Sequence, residues 1–255
     1  MSSAIDELLR RRPAISLAAI RAATDLQQRH ETKYVVAAEI AVGLLGELDC
    51  DWQVLEVAGR RSTMYRSAYF DDENFELFRD HVKGRRLRYK VRTRRYGHDP
   101  GEMLEVKLKS GRGATDKRRV QRAGHGAELT IDERQWISDT VVDAYGRRVV
   151  GPLRFALGLE YTRRTMVNQV TGERLTIDTG LTAEADSLAA APVGEAVVVE
   201  VKSVDWFGPT VRLLQRQSVR PLTFSKYCAA LASLHLDLDQ RARQRAQRSF
   251  VQYQT

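Results

Sequence analysis

The chain has 255 residues, 43% of them hydrophobic and 7% aromatic, enough for one sizeable core and too apolar for a disordered polymer. Its formal net charge of +8 predicts a polyanionic partner (nucleic acid, acidic lipid or phosphate compounds), and where the charge sits decides among these. No apolar run approaches the ~18 residues of a membrane span. Asp6, Glu7 and Arg10 to Arg12 stand where a leader peptide is apolar, so a cytoplasmic protein without a membrane span is expected.

Residues 3–28 read as a helix interrupted by Pro13, with Ile5, Leu8, Leu9, Ile15, Leu17, Ala18 and Ile20 at helical spacing. His30 to Val36 reads as a short strand, Ala37 to Leu48 as a helix, Arg66 to Phe70 as an extended run, and Glu73 to Val82 as a helix ending near Gly84. The middle of the chain is strand-rich: Arg85 to Tyr96, Met103 to Lys109 and Thr115 to Arg122 are separated by turn-forming residues around Gly97, Pro100, Gly111 and Gly113. A helix over Thr130 to Val142 follows, then a hairpin of Leu159 to Val170 and Arg174 to Thr179 about Thr171 and Gly172. Ala196 to Val204 is an apolar strand and Phe224 to Leu236 a helix. Arg241, Arg243, Arg245 and Arg248 mark a polar tail, read as a solvated helix end or partner contact. With no internal repeat or linker, the chain reads as one domain over 29–238, with a helical extension at 1–28 and an arginine-rich tail at 239–255.

Several chemistries are not supported. Cys50 and Cys228 form no CxxC pair, and His30, His81, His98, His125 and His235 fall in no HExxH arrangement, so zinc is not expected. Gly111 and Gly113 open no P-loop, and the dinucleotide, kinase and nucleophile-elbow motifs are missing.

Strand alternation carries more. Side chains alternate between faces with period two, which puts Arg86, Arg88, Lys90, Arg92 and Arg94 on one face and Leu87, Tyr89, Val91 and Thr93 on the other. A sheet that is basic on its wet side would give one such strand. The pattern recurs, however: Glu105, Lys107 and Lys109 oppose Leu104, Val106 and Leu108; Arg174, Thr176 and Asp178 oppose Leu175 and Ile177; Glu31 pairs its face with Lys33, and Glu200 with Lys202 among valines. A barrel with a polar interior and an apolar exterior covered by helices explains the repetition. Arginines and lysines inside would grip phosphate oxygens, arginine bidentately and lysine as a point charge. Each interior carboxylate reads either as a salt-bridge partner of its neighbours or as a ligand for Mg²⁺ or Mn²⁺; Glu200, in the most apolar strand, is the strongest metal candidate.

In chain order, Glu31-Thr32-Lys33-Tyr34, Ser67-Ala68-Tyr69-Phe70-Asp71, Lys90-Val91-Arg92-Thr93-Arg94-Arg95-Tyr96-Gly97, Glu105-Val106-Lys107 and Tyr161-Thr162-Arg163 resemble the motifs of the VTC domain family. So do Leu175-Thr176-Ile177-Asp178-Thr179, Val199-Glu200-Val201-Lys202 and Phe224-Ser225-Lys226-Tyr227, and the resemblance runs from about residue 29 to 236. That family, named for the vacuolar transporter chaperone complex, contains inorganic polyphosphate polymerases and belongs with the triphosphate tunnel metalloenzymes. The resemblance implies an α+β fold, an antiparallel β-barrel tunnel with helices packed outside. It implies a metal-dependent reaction that moves the γ-phosphate of ATP onto a growing polyphosphate chain.

Carried over by position, Lys33, Arg92, Arg94, Lys107, Arg163, Ser225 and Lys226 would line the tunnel and bind phosphates, with Lys117 or Arg119 at a further basic position. Arg92, Arg94, Lys107, Arg163 and Lys226 would serve catalysis, and Glu200 would hold Mn²⁺ or Mg²⁺. Lys90, Lys109 and Lys202 join the phosphate-binding set. Glu31-Thr32-Lys33 lacks the ExExK form of the related hydrolases and cyclases, and Gly180 stands where many relatives carry another acid. Three readings follow: a polyphosphate polymerase using ATP and inorganic polyphosphate, a triphosphate or polyphosphate hydrolase in the same tunnel, and a non-catalytic polyphosphate-binding module. Specific nucleic-acid binding is not expected, because the strands lack interleaved aromatics.

Overall fold

The computed structural model describes residues 2–24, 30–97, 99–111, 115–122, 128–149, 151–185, 188–192, 196–223 and 225–234, with positions 238, 240, 241 and 244. In chain order its elements are α1 (Ser2–Arg10), β1 (Ala14–Ile15), α2 (Leu17–Thr24), β2 (His30–Val36), α3 (Ala38–Glu47), β3 (Trp52–Leu55), β4 (Thr63–Asp71), α4 (Glu76–Val82) and β5 (Arg88–Tyr96). Then come β6 (Glu102–Lys109), β7 (Thr115–Arg122), α5 (Ile131–Tyr145), β8 (Arg154–Asn168), β9 (Glu173–Ala185), β10 (Leu188–Pro192), β11 (Val197–Ser203), α6 (Pro209–Arg216) and α7 (Lys226–Leu234). No described helix is long and apolar enough to cross a membrane.

The strands make one eleven-stranded sheet, in the order β2-β11-β9-β8-β4-β5-β6-β7, with β3 on β8, β1 on β3 and β10 on β9. The ladders along this path are antiparallel; β1 joins β3 in parallel. Residues of both ends, Lys33 on β2 and Lys107 and Lys117 on β6 and β7, line one cavity, so the sheet is curled. Among the described residues no ladder joins β7 to β2, and the expected barrel is an open, curled wall. The composition of β7 accounts for this: Asp116, Lys117, Arg118 and Arg119 place charge along the strand, which keeps such an edge from pairing.

The convex face carries two apolar clusters. Tyr34, Val36, Val197, Val199, Val201, Leu175 and Ile177 pack under α1, α3 and α6, with Ile5 and Leu9 fully buried among them. Tyr89, Val91, Leu104, Val106 and Leu108 pack under α5 through Ile137 and Val141. The helix α7 departs from the expected outer shell. Its Tyr227, Cys228, Ala230 and Leu231 pack on the concave side against Val35, Val198, Leu159, Tyr161 and Ala183, so one part of the interior is filled and Lys226 stands where the filling stops.

Several boundaries differ from the sequence expectation for local reasons. Pro13 does more than interrupt a helix: Ala14 and Ile15 extend and pair with Val54 and Leu55, so residues 3–24 hold two helices with a strand between. Positions 25–28 of that expected helix lie outside the described residues, as do Phe224 and 235–236 of the last helix, His98, His125, His235 and Gly113. Of the arginine-rich tail only 240, 241 and 244 are described. Arg86 precedes β5 and donates to the Gly111 carbonyl, so it does not share the strand face of Lys90.

The strand expected to stop at Thr179 runs on to Ala185 because Gly180, at φ 64°, takes a left-handed bulge where the β8–β9 register shifts. The bulge reverses the alternation, which lets both Asp178 and the apolar Leu181 and Ala183 face inward. The helix α4 begins on side chains: Asp72 accepts from the Glu76 N–H, and buried Asp71 accepts from the N–H groups of Leu77 and Phe78. Asp71 also accepts from the Tyr227 hydroxyl at 2.6 Å, tying β4, α4 and α7 together.

Candidate active site: a basic cavity on the concave face

Alternation delivers the lining. From β5 come Lys90, Arg92 and Arg94, from β6 Lys107 and Lys109, from β7 Lys117, from β2 Glu31 and Lys33, from β8 Tyr161 and Arg163, and from β11 Glu200 and Lys202. Ser225 and Lys226 enter at the start of α7. These residues surround a cavity of about 1030 Å³, and a neighbouring one of about 290 Å³ shares Lys33, Lys90, Lys107 and Lys109 with it. Of the site residues read from the sequence, Arg119 stands apart: it is exposed and lies off the lining, although it shares the strand face of Lys117.

The charges divide into two kinds. The first is compensated by protein carboxylates. Arg92 grips Glu105 with Nε and Nη2 at 2.8 and 2.6 Å and donates to the Tyr69 hydroxyl at 3.0 Å. Burial pushes the Glu105 carboxyl up, but Arg92, Lys117 and Arg94 hold it at about 2. Arg163 makes a bidentate pair with Asp178, both contacts at 2.6 Å, and lies 3.6 Å from Glu200. Lys226 reaches Asp178 at 2.7 Å and Glu200 at 3.1 Å. Burial pushes the Glu200 carboxyl up, yet Lys226, Arg163 and Lys33 together draw it well below the carboxylate range. At the next level Glu31 pairs with Lys33 at 2.5 Å and Lys202 at 3.4 Å.

The second kind has no carboxylate at ion-pair distance among the described residues, although Glu105 acts on Arg94 and Glu31 on Lys107 from farther away. Arg94 is 6% exposed and donates to Ser67 Oγ at 2.9 Å and the Tyr161 hydroxyl at 3.1 Å, with its guanidinium 5.1 Å from the centre of the Tyr65 ring. Lys90 donates to Ser225 Oγ at 2.7 Å. Lys107 has neither hydrogen bond nor ion pair among the described residues, and burial, Lys33, Lys90 and Arg92 lower its pKa to about 7. On β9 the buried Nε of Arg174 has no hydrogen-bond partner among the described residues. In the smaller cavity His81, at the end of α4, is held neutral by burial and by Lys90, Arg88, Lys33 and Lys107, its pKa lowered to about 2. Cations buried without counter-ions are costly, and their cost falls when an anion enters.

Arg174, Tyr69 and Tyr161 are site residues that sequence reasoning did not select, whereas Glu105, expected on the interior face as a salt-bridge partner or metal ligand, is the ion-pair partner of Arg92. Arg174 had a signal, since alternation already placed it on the face of Thr176 and Asp178. The two tyrosines had none beyond their motifs, because their hydroxyls matter only once Arg92 and Arg94 are opposite them in register.

The donor set suits a hard divalent cation. Glu200 and Asp178 converge on one ammonium, Lys226 Nζ, so their oxygens reach a common point where positive charge is stabilised. A small divalent ion held by one or two carboxylates completes its shell with substrate phosphates and water. No group of three or more His, Cys, Asp or Glu side chains placed to hold a metal occurs among the described residues.

Known structures resemble this fold at low identity. A candidate adenylyl cyclase of Hippeastrum, described as having a dominant triphosphatase activity, is 16% identical, with 83% of this chain and 99% of that chain covered and a TM-score of 0.46. The PH1819 protein of Pyrococcus horikoshii is 11% identical, with 82% and 100% covered and a TM-score of 0.46. A candidate adenylate cyclase of Bacillus halodurans is 12% identical, with 78% and 94% covered and a TM-score of 0.42. Likenesses at this level leave the activity to the site itself. No curated protein sequence matches the chain. The model of the VTC domain matches residues 28–235, which hold every strand from β2 to β11 and all the cavity lining, and the chain therefore belongs to the VTC domain family.

Proposed function

We propose that this protein is a metal-dependent polyphosphate polymerase that transfers the γ-phosphoryl group of ATP onto a growing polyphosphate chain within the basic cavity. Family membership supports an activity on triphosphate or polyphosphate. The observation that carries the reading is the set of cations without carboxylate partners, Arg94, Lys107 and Lys90, converging on one cavity of about 1030 Å³. A lining of eleven lysines and arginines with Glu31 and Glu200 exceeds any internal balance, and a polyanion supplies the missing charge.

Phosphoryl transfer asks little covalent chemistry of a protein. The bond between the γ-phosphorus and its bridging oxygen breaks, ADP leaves, and a terminal oxygen of the chain bonds to that phosphorus. Arg163 and Lys226 would hold the reacting phosphate beside Glu200, and Arg92, Arg94 and Lys107 would fix the phosphates on either side. Glu200, with Asp178, would hold Mn²⁺ or Mg²⁺, which would supply neutralisation of the charge developing on the phosphates. The competing reading is hydrolysis, which differs only in whether water or a phosphate chain attacks the γ-phosphorus. Product balance separates the readings. With ATP and Mn²⁺ or Mg²⁺, ADP formed without equal free phosphate supports chain transfer, equal amounts support hydrolysis, and neither product leaves a binding module.

A further inference from the structure

Just beyond the last charged level of the cavity, the wall becomes aromatic. His30 opens β2 and stands in register with Ser203, the last residue of β11, while Glu31 and Lys202 form the pair before it. The chain then turns, with Ser203 Oγ donating to the Asp205 carbonyl, and brings Trp206 back over His30. The two rings stack at 4.0 Å between centroids, 25° from parallel, and both line the cavity. The far side of the turn is anchored as well: Glu173 accepts from the Thr210 hydroxyl at 2.8 Å and from its N–H at 3.3 Å, in the first turn of α6. Trp206 is nevertheless 60% exposed. A large aromatic ring left in water on an anchored loop, at the rim of the basic cavity, suits a flat apolar ligand.

We propose that Trp206, backed by His30, is a stacking platform for the base of a nucleoside triphosphate, and so the element by which this cavity tells a nucleotide from a bare phosphate chain. The inference rests on the reading of the cavity as a triphosphate site. Three residue steps separate the Glu200–Lys33 pair from the Ser203–His30 pair, about 10 Å at the rise of a strand. That span accommodates the ribose and phosphates between a base on Trp206 and a terminal phosphate beside Glu200 and Lys226. Every base offers a π-face, so the platform favours nucleoside triphosphates as a class and selects weakly among bases.

The test compares equilibrium binding of ATP, GTP and inorganic triphosphate by wild type, Trp206→Ala and Trp206→Phe, with Phe207→Ala as an exposed neighbour off the cavity lining. Trp206→Ala is expected to weaken ATP and GTP alike by on the order of tenfold, leaving inorganic triphosphate within about twofold. Trp206→Phe restores most of the loss, and Phe207→Ala changes none of the three. The ratio of ATP to triphosphate affinity within each protein cancels any fraction misfolded. An unchanged ratio in Trp206→Ala, whether both ligands weaken or neither does, overturns the platform. A wild type that binds neither ATP nor triphosphate removes the underlying triphosphate site instead.

Discussion

Arg92, Arg94 and Arg95 are near neighbours of the same type on one strand, and the structure predicts three different phenotypes for their replacement by alanine. Arg92 neutralises Glu105, whose side chain is 1% exposed; without it Glu105 keeps, among the described residues, Lys117 at 3.4 Å and the Tyr96 hydroxyl at 3.5 Å, with Arg94 farther away. Stranding a buried charge costs about 3–5 kcal/mol, which for a chain of this size lowers Tm by about 6–20 °C. Arg94 instead donates to two hydroxyls, worth about 1 kcal/mol each, lies over the Tyr65 ring and acts on Glu105 only at longer range, with no carboxylate at ion-pair distance among the described residues, so compared with Arg92 its removal changes Tm much less. Its loss falls on the ligand. Charge-assisted contacts of about 1.5–3 kcal/mol correspond to triphosphate affinity roughly 10- to 150-fold weaker. Arg95 is exposed on the opposite face and changes stability by no more than about 0.5 kcal/mol and affinity not at all. Titration with inorganic triphosphate at fixed salt, beside thermal unfolding of each variant, reads both quantities. Equal and small affinity losses at Arg94 and Arg95 would show that the strand is an ordinary basic surface.

Glu200→Gln should raise the Mn²⁺ concentration needed for half-maximal turnover at least tenfold while the protein stays folded, since Asp178 still balances Arg163 and Lys226; unchanged turnover at limiting metal would make Glu200 an ion-pair partner alone. Lys107 titrates at about 7 when folded, against 10.5 ordinarily, so the unfolded chain binds more protons between these values and stability rises with pH across that window. Lys107→Met should therefore be more stable than wild type at pH 6.5, gain less on going to pH 9, and bind triphosphate more weakly; denaturant unfolding at the two pH values gives the comparison, and parallel curves for both proteins would count against a buried, strained Lys107. Affinity for polyphosphate should fall steeply with salt, with a shallower slope in Arg94→Ala and an unaltered one in Arg95→Ala, measured by binding at several salt concentrations.

Much of the site was legible because period-two alternation is a local property. Lys90, Arg92, Arg94, Lys107, Glu200 and Lys202 face the interior as their strands' patterns require, with Tyr89, Val91, Leu104 and Val106 packed behind them. Alternation assigns a face and not a depth, which is why Arg119 shares the side of Lys117 and still misses the cavity. It also fails where the backbone departs from regularity. Gly180 read as a strand end, yet it is a bulge that turns the rest of β9 over. Short elements escaped: β3 is four residues, and α6 is eight, although Pro209 at its first turn and buried Val211 and Leu214 three positions apart do carry a helical signal. Pairings across the fold, such as Arg92 with Glu105 or Lys226 with Asp178, depend on register and on the inward placement of α7. No local sequence signal encodes those.

The central claim, phosphoryl transfer onto a chain held by the cavity's uncompensated cations, is tested most directly by sizing the products of γ-labelled ATP made by wild type and Arg94→Ala in the presence of Mn²⁺. Labelled chains of many phosphates are expected from wild type, with a loss of at least tenfold in their yield from Arg94→Ala at limiting ATP. Label found only in free phosphate from wild type, or chains made equally well by both proteins, would contradict it.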